Sequence, residues 1–280
     1  MQPVPRSLLL LHPDERLATD LSRVPGLPYR VQRVPDWRTL KEVLGRSTPT
    51  TLAVVYPFGT GGADGGLSEE LRDLLREFPS ATVVAALHVE PTRPGELETL
   101  LQWGIADWLD LVREETPAAI TRRLRALWVR PVQRLLQRAL PRGVPSRARM
   151  LLSVAVETVA AGGQAPEMAA ALGVTERTVP RWCERADLPP PRRLLAWLRL
   201  LLAADLLDDP GRSIESVARA TGYAGAQSLK TALRNLLGAS ARELRARGAF
   251  DVVASAFAKE LFDLREQARG QGKPAKTWLH

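Results

Sequence analysis

The sequence predicts two joined folds: an α/β domain on a five-stranded parallel sheet, then an all-α domain with two helix–turn–helix units. Three observations carry this expectation. Residues 1–130 alternate five times between short apolar runs and amphipathic helical patterns. Such alternation builds a parallel sheet covered on both faces. Residues 147–247 hold helical patterns only, and twice two short patterns meet at a glycine. The third observation is charge. The chain of 280 residues carries a formal +8, unevenly spread: residues 1–141 have 18 Lys+Arg against 17 Asp+Glu, and residues 142–249 have 16 against 10. The basic excess lies in the helical part, where it makes an electrostatic footprint for a polyanion.

The first strand is read at "SLLLL" (Ser7–Leu11), followed by the helical "PDERLATDLSRV". "YRVQRV" is strand-like, and "DWRTLKEVLGRS" places Leu40, Val43 and Leu44 on one helical face. "TTLAVVYPF" reads as a buried strand. "LSEELRDLLREF" aligns Leu71, Leu74 and Leu75. "ATVVAAL", "RPGELETLLQWG", "ADWLDL" and "TPAAITRRLRALWV" complete the alternation, with Thr116 as N-cap and Pro117 in the first helical position. The loop "GTGGADGG" lacks the lysine and Ser/Thr of a phosphate-binding loop and reads as a plain connection. Pro131 and "PRGVP" interrupt the helical pattern. The expected division is 1–130 for the α/β domain, 131–146 for a linker or extended helix, 147–247 for the paired helix–turn–helix domain, and 248–280 for a C-terminal helix and basic tail. Leu124, Leu127, Leu135 and Leu136 form a seam about the break, expected to pack on the first domain, with self-association as the alternative. Trp103 and Trp108 are expected in its core, with an interaction face near the last strand as the alternative.

The order and lengths of the first five pairs, with "GIADWLDL" before the last helix, resemble the flavodoxin-like receiver domain of bacterial response regulators. The resemblance implies an acidic cluster after the first strand, an aspartate after the third, a Ser/Thr after the fourth and a lysine after the fifth. Those places hold His12-Pro13-Asp14, Tyr56, Ala86 and Leu111. Without paired carboxylates, Mg²⁺ has too few hard oxygen ligands, and phosphoryl transfer has no charge clamp. A degenerate receiver follows, with no phosphoacceptor and Tyr56 at its expected position.

In the helical part, "SIESVARATGYAGAQSLKTALRNLLG" supplies a supporting helix, a turn and a second helix with a polar outer face. Ser213 is the N-cap; Ile214, Val217 and Ala218 face inward; Gly222 ends the helix; Tyr223 plugs the turn. Leu229, Ala232, Leu233 and Leu236 form the buried stripe of the next helix, which Gly238 ends. Gln227, Ser228, Lys230, Thr231 and Arg234 are left outside. Gln pairs with adenine, Lys and Arg with guanine or phosphate, and Thr with a thymine methyl. Upstream, "APEMAAALGVTERTVPRWCERAD" repeats the pattern, turning at Gly173-Val174 with Thr175 as cap. Val179, Trp182 and Cys183 face inward there, and Glu176, Arg177, Thr178, Arg181 and Arg185 outward. Pro180 falls around the second turn of that helix, where it would kink it and leave the first unit weak at reading bases, holding mainly phosphates. Between the units, about 17 residues of apolar helix at 1.5 Å each span roughly 25 Å. With its turns, that rod spaces two reading helices by about one DNA turn, roughly 34 Å.

Gly222-Tyr223, Ser228, Leu229, Leu233, Gly238, Ser240 and Arg245, with Arg199, Ala203, Leu206 and Leu207 upstream, resemble the DNA-binding domain of AraC/XylS-type transcription regulators over residues 147–247. Departures are Leu229 and Leu233 for the usual phenylalanines, Ala241 for a proline, and Lys230-Thr231 for a Ser-Arg pair. The resemblance implies sequence-specific binding of double-stranded DNA at promoters. RNA polymerase and a second copy of the chain stand as further partners. The alternative is a protein-interaction adaptor whose helix–turn–helix units no longer read bases.

Other classes find little support. No apolar run reaches the roughly 18–20 residues of a membrane span. One cysteine, Cys183, and three scattered histidines leave no disulfide and no metal site. No nucleophile–base pair or cofactor loop points to an enzyme, and no cofactor is expected. A reducing cytoplasm is the expected compartment. "AFDVVASAFAKELFDLREQARG" after Gly248 is amphipathic, with Val253, Phe257, Leu261 and Leu264 on one face. Either domain, or a second copy, offers that face a surface.

Overall fold

The computed structural model describes residues 6–23, 29–59, 66–88, 94–112, 116–127 and 130–270. The centre of the glycine-rich loop, Trp128 and the tail from 271 lie outside the described residues. The chain divides into two compact units. The first comprises residues 1–131 with 206–226, and the second 132–205 with 227–280.

In the first unit, β1 (Arg6–Leu11), β2 (Tyr29–Arg33), β3 (Leu52–Val55), β4 (Thr82–Leu87) and β5 (Asp107–Asp110) form one sheet in the order β2-β1-β3-β4-β5. Every pair is parallel. This is the flavodoxin-like doubly wound order. The period-2 pleat sorts the strand residues between two cores. Leu9, Ala53, Val55, Val83 and Ala85 pack with the leucines of α2 (Trp37–Arg46), α3 (Glu69–Glu77) and α4 (Pro94–Trp103). Leu8, Leu10, Leu52, Val54, Val84 and Leu109 pack with α1 (Glu15–Arg23) and α5 (Pro117–Leu127). The continuous apolar runs read as strands are therefore buried on both faces, as parallel strands must be. Asp36 caps α2 through Thr39 N (2.7 Å), and Thr116 Oγ1 accepts from Ala119 N (3.2 Å) at the start of α5. Leu124 and Leu127 join the sheet core, and Trp103 and Trp108 lie partly buried against it.

The second unit holds nearly all of α6 (Arg130–Ala139) and of the rod α10 (Pro191–Leu207), with α7 (Ser146–Ala160), α8 (Ala165–Ala171), α9 (Val179–Arg185) and α13 (Ala241–Arg247). A helix apolar on all sides belongs inside, and Leu194, Leu198, Leu201 and Ala203 are almost wholly enclosed. The C-terminal α14 (Ala249–Gly270) lies on this rod. The Trp197 indole N–H donates to Glu260 (2.7 Å), Arg193 pairs with the same carboxylate, and the Trp197 and Phe257 rings lie 5.8 Å apart. Val253, Phe257 and Leu261 are buried as their spacing predicted; Leu264 is half-buried. Leu135 and Leu136 belong to this unit and not to the sheet core. Arg138 on the same helix donates to Asp205 of α10 (2.8 Å) and stands 3.8 Å over the Phe250 ring. The reason is chemical: within this unit the basic edge of α6 meets the Asp205 carboxylate at the end of α10, with Arg134 and Arg138 both beside it.

Candidate nucleic-acid interface

The first candidate unit starts at a capping box. Gln164 N–H donates to Glu167 (2.9 Å), which holds that carboxyl below its usual range. Met168 and Ala169 bury α8. Gly173 takes φ +67°, and Val174 N–H returns to Ala169 O (3.0 Å), closing the helix. The chain next makes a single turn, with Thr178 N–H donating to Thr175 O (2.9 Å) and the two hydroxyls 3.0 Å apart. Only then does α9 begin, with Thr178 as its N-cap residue. Two sequence expectations change. Thr175 caps the preceding turn and not the helix. Pro180 falls in the first turn of α9, where its missing N–H has no intrahelical acceptor to lose. It does not kink the helix; it helps define where the helix starts.

Val179 and Cys183 are buried, and Trp182 half-buried. Burial pushes the Cys183 thiol up to about 11. Thr175, Glu176, Arg177, Arg181 and Arg185 are exposed, and Thr178 is half-buried. Arg181 and Arg185, four residues apart, share one face of α9. Thr175 and Arg177 precede it. Arg199 of α10 donates to Gly163 O (3.3 Å), tying the rod to the turn ahead of α8.

For the second unit, Ser213 Oγ accepts from Ser216 N (3.1 Å), starting α11 (Ile214–Ala220) as predicted. Gly222 sits at φ +77°, a region glycine enters freely, and Tyr223 N–H closes on Ala218 O (2.9 Å). The following helix is α12 (Ala226–Leu237). Leu229 and Leu233 have no exposed surface, while Gln227, Ser228, Lys230, Thr231 and Arg234 are all exposed. Gln227, Lys230, Thr231 and Arg234 recur at helical spacing, forming one polar stripe. The Thr231 hydroxyl donates to Gln227 O (2.9 Å). Gly238 (φ +66°) ends α12. Ser240 and Glu243 then form a capping box for α13, with bonds of 2.7 and 3.3 Å.

One residue escaped the sequence reading. The Glu215 carboxylate of α11 accepts from Ala226 N–H (2.9 Å), at the first residue of α12, and from Arg219 Nε–H (2.9 Å). The Ala226 N–H, helped by the nearby Arg219 charge, holds this carboxyl below its usual range. Glu215 therefore fills one orphan donor at the start of α12. The two residues lie eleven apart, so no local pattern signals it. The α13 capping box was legible as Ser-x-x-Glu. So was α7, whose Leu151, Leu152, Ala155, Val156 and Val159 repeat at helical spacing.

At the carboxyl edge of the sheet, Tyr56 follows β3 directly and donates its N–H to Leu11 O (2.8 Å). Its ring stands edge-on to His12, centroids 5.4 Å apart, and 5.3 Å from Phe58. His12 is buried; Asp14 N–H donates to its Nδ1 (3.1 Å), and burial pushes the imidazole below its ordinary range. Aromatic rings thus occupy the place where the receiver pattern would put carboxylates. Among the described residues no group of His, Cys, Asp and Glu is placed to hold a metal ion, and no helix is long and apolar enough to cross a membrane.

Residues 168–247 match a protein-family model described as a helix-turn-helix domain. No curated protein and no solved structure matches the chain. The matched stretch runs from α8 through α13 and supports a DNA-binding domain of AraC type, the kind that serves transcription regulators.

Proposed function

We propose that this chain is a sequence-specific transcription regulator with two reading helices, α9 and α12, seated in successive major grooves of one duplex. The observation that carries the reading is the pairing of buried stripes with exposed polar faces on both helices, inside the matched stretch. The 17-residue length of α10 supports the spacing, since about 25 Å of rod plus its turns approaches one DNA turn. Arg177, Arg181, Arg185 and Arg234 supply charge for phosphates. Thr175, Thr178, Gln227, Ser228, Lys230 and Thr231 supply groups for base edges and sugar–phosphate. Residues 1–130 act as a receiver-like module that regulates or dimerises without aspartate phosphorylation. Residues 131–146 link it to the reader at 147–247, and the helix over 249–270 buttresses the reader. The natural setting is the bacterial cytoplasm, with RNA polymerase and a second copy as further partners.

The test is selection of bound sequences from random duplexes with the full chain, followed by titration of the selected duplex. Arg181→Ala and Lys230→Ala are each expected to weaken binding, with Lys230→Ala also relaxing preference at one position by about 1–3 kcal/mol. Recovery of no preferred sequence would sink the proposal.

A further inference from the structure

We propose that the sheet-bearing unit is a working part of the second helix–turn–helix: a buried clasp at Asp209 and Arg212 holds the supporting helix α11, and DNA binding depends on it. The dependence on DNA rests on the function proposed above; the clasp itself does not.

The segment "DDPGRS" joins α10 to α11. Asp209 has no exposed surface, and Arg212 is 3% exposed. The Asp209 carboxylate accepts three bonds: from Ser80 N–H (2.9 Å), Ser80 O–H (2.5 Å) and Arg212 Nε–H (3.0 Å). Arg212 also donates to Gly45 O (3.2 Å) and Ser47 O (3.0 Å), while Gly211 N–H donates to Glu77 O (3.0 Å). These acceptors lie at the C-terminal ends of α2 and α3. Helix ends leave carbonyls without partners and carry partial negative charge, so a guanidinium is matched to them. The fit is also steric. A Cβ on Gly211 would lie 2.5 Å from Phe78 Cζ, so the loop seats against that ring only as glycine.

Helix α11 begins at the next residue but one after Arg212 and has seven residues. A helix so short does not hold its shape alone, because nucleation outweighs so few bonds. Its hold comes from buried Val217 and Ala218 and packing on α2, from the Ser213 cap, from the clasp at its start, and from Glu215 reaching the start of α12. Loosening the clasp should therefore loosen α11 and, with it, the turn that presents α12.

The experiment uses the full chain with Ser80→Ala, which deletes one donor, and Gly211→Ala, which wedges Phe78 and keeps every charge. Amide hydrogen exchange over residues 214–220 and titration of the selected duplex are read together. Both variants are expected to lose protection in α11 while β1 and β3 stay protected, and Gly211→Ala is expected to bind duplex about tenfold more weakly. Lys230→Ala should weaken binding with α11 protection intact. Lost protection with affinity within about twofold of wild type, or tighter binding, overturns the proposal. So does unchanged α11 protection in both variants. A wild-type chain that binds no duplex sinks the DNA reading and this dependence with it; α11 protection in Ser80→Ala then decides the clasp separately.

Discussion

His12 and Cys183 show what burial does to single groups. Each is enclosed, and each has its charged form disfavoured. For His12 the direction sets a pH dependence. Its folded-state pKa lies below the ordinary 6.5, so the folded chain takes up a proton less readily than the unfolded one. The associated stability is present above about pH 6.5 and is lost as pH falls below it. Thermal unfolding should therefore show a lower midpoint at pH 5.5 than at pH 7.5. His12→Phe, which keeps a ring against Tyr56 and cannot titrate, should shrink that difference; an undiminished difference refutes the assignment. For Cys183, a thiol pushed up to about 11 is almost wholly protonated at pH 8. A maleimide or iodoacetamide should leave the native chain unlabelled at that pH and label it fully in denaturant. Rapid native labelling would show that Cys183 is not packed behind α9. Composition announced both residue types. Only their place behind strand ends and helix faces tells what they do.

At the scale of elements, periodicity was a reliable guide wherever one face is buried. All five strands and the long helices α10, α12 and α14 lie where apolar spacing put them, because burial imposes the period. The start of α9 was less legible. Thr175 reads as a cap and Pro180 as a breaker, yet an extra turn over residues 176–178 moves the helix forward. A local rule counts residues from an assumed start and cannot see that turn. The placement makes a prediction. Relief of a mid-helix proline would add about 3 kcal/mol of stability, whereas Pro180→Ala here should change unfolding free energy by less than about 1 kcal/mol. Denaturant melts of the two chains decide it. Glu215 belongs to this scale too: two helices share it, and its role lies in neither helix's sequence alone.

Across the whole molecule, the charge count points to a polyanion and the fold shows which groups are available to meet one. Of the ten residues expected to contact DNA, Thr178 alone is half-buried, and the other nine are exposed. Binding that uses about five to nine phosphates should fall with log salt at a slope of about −4.5 to −8. A titration from low to high KCl giving a slope near zero would rule out phosphate contacts as the source of affinity. Arg181→Ala should flatten the slope by roughly one phosphate's worth, or about 0.9. The two ends of the chain differ in how much the sequence disclosed. Alternating β and α patterns, a continuous apolar rod, two glycine-ended helix pairs and a basic second half are all local or compositional, so periodicity and chemistry alone determined them. Which acid meets which base was decided only by tertiary structure. Ser80 and Asp209 are 129 positions apart, and Gly45 and Arg212 are 167 apart. Helix ends present their unpaired carbonyls to whatever the fold brings near, and linear spacing carries no record of that neighbour.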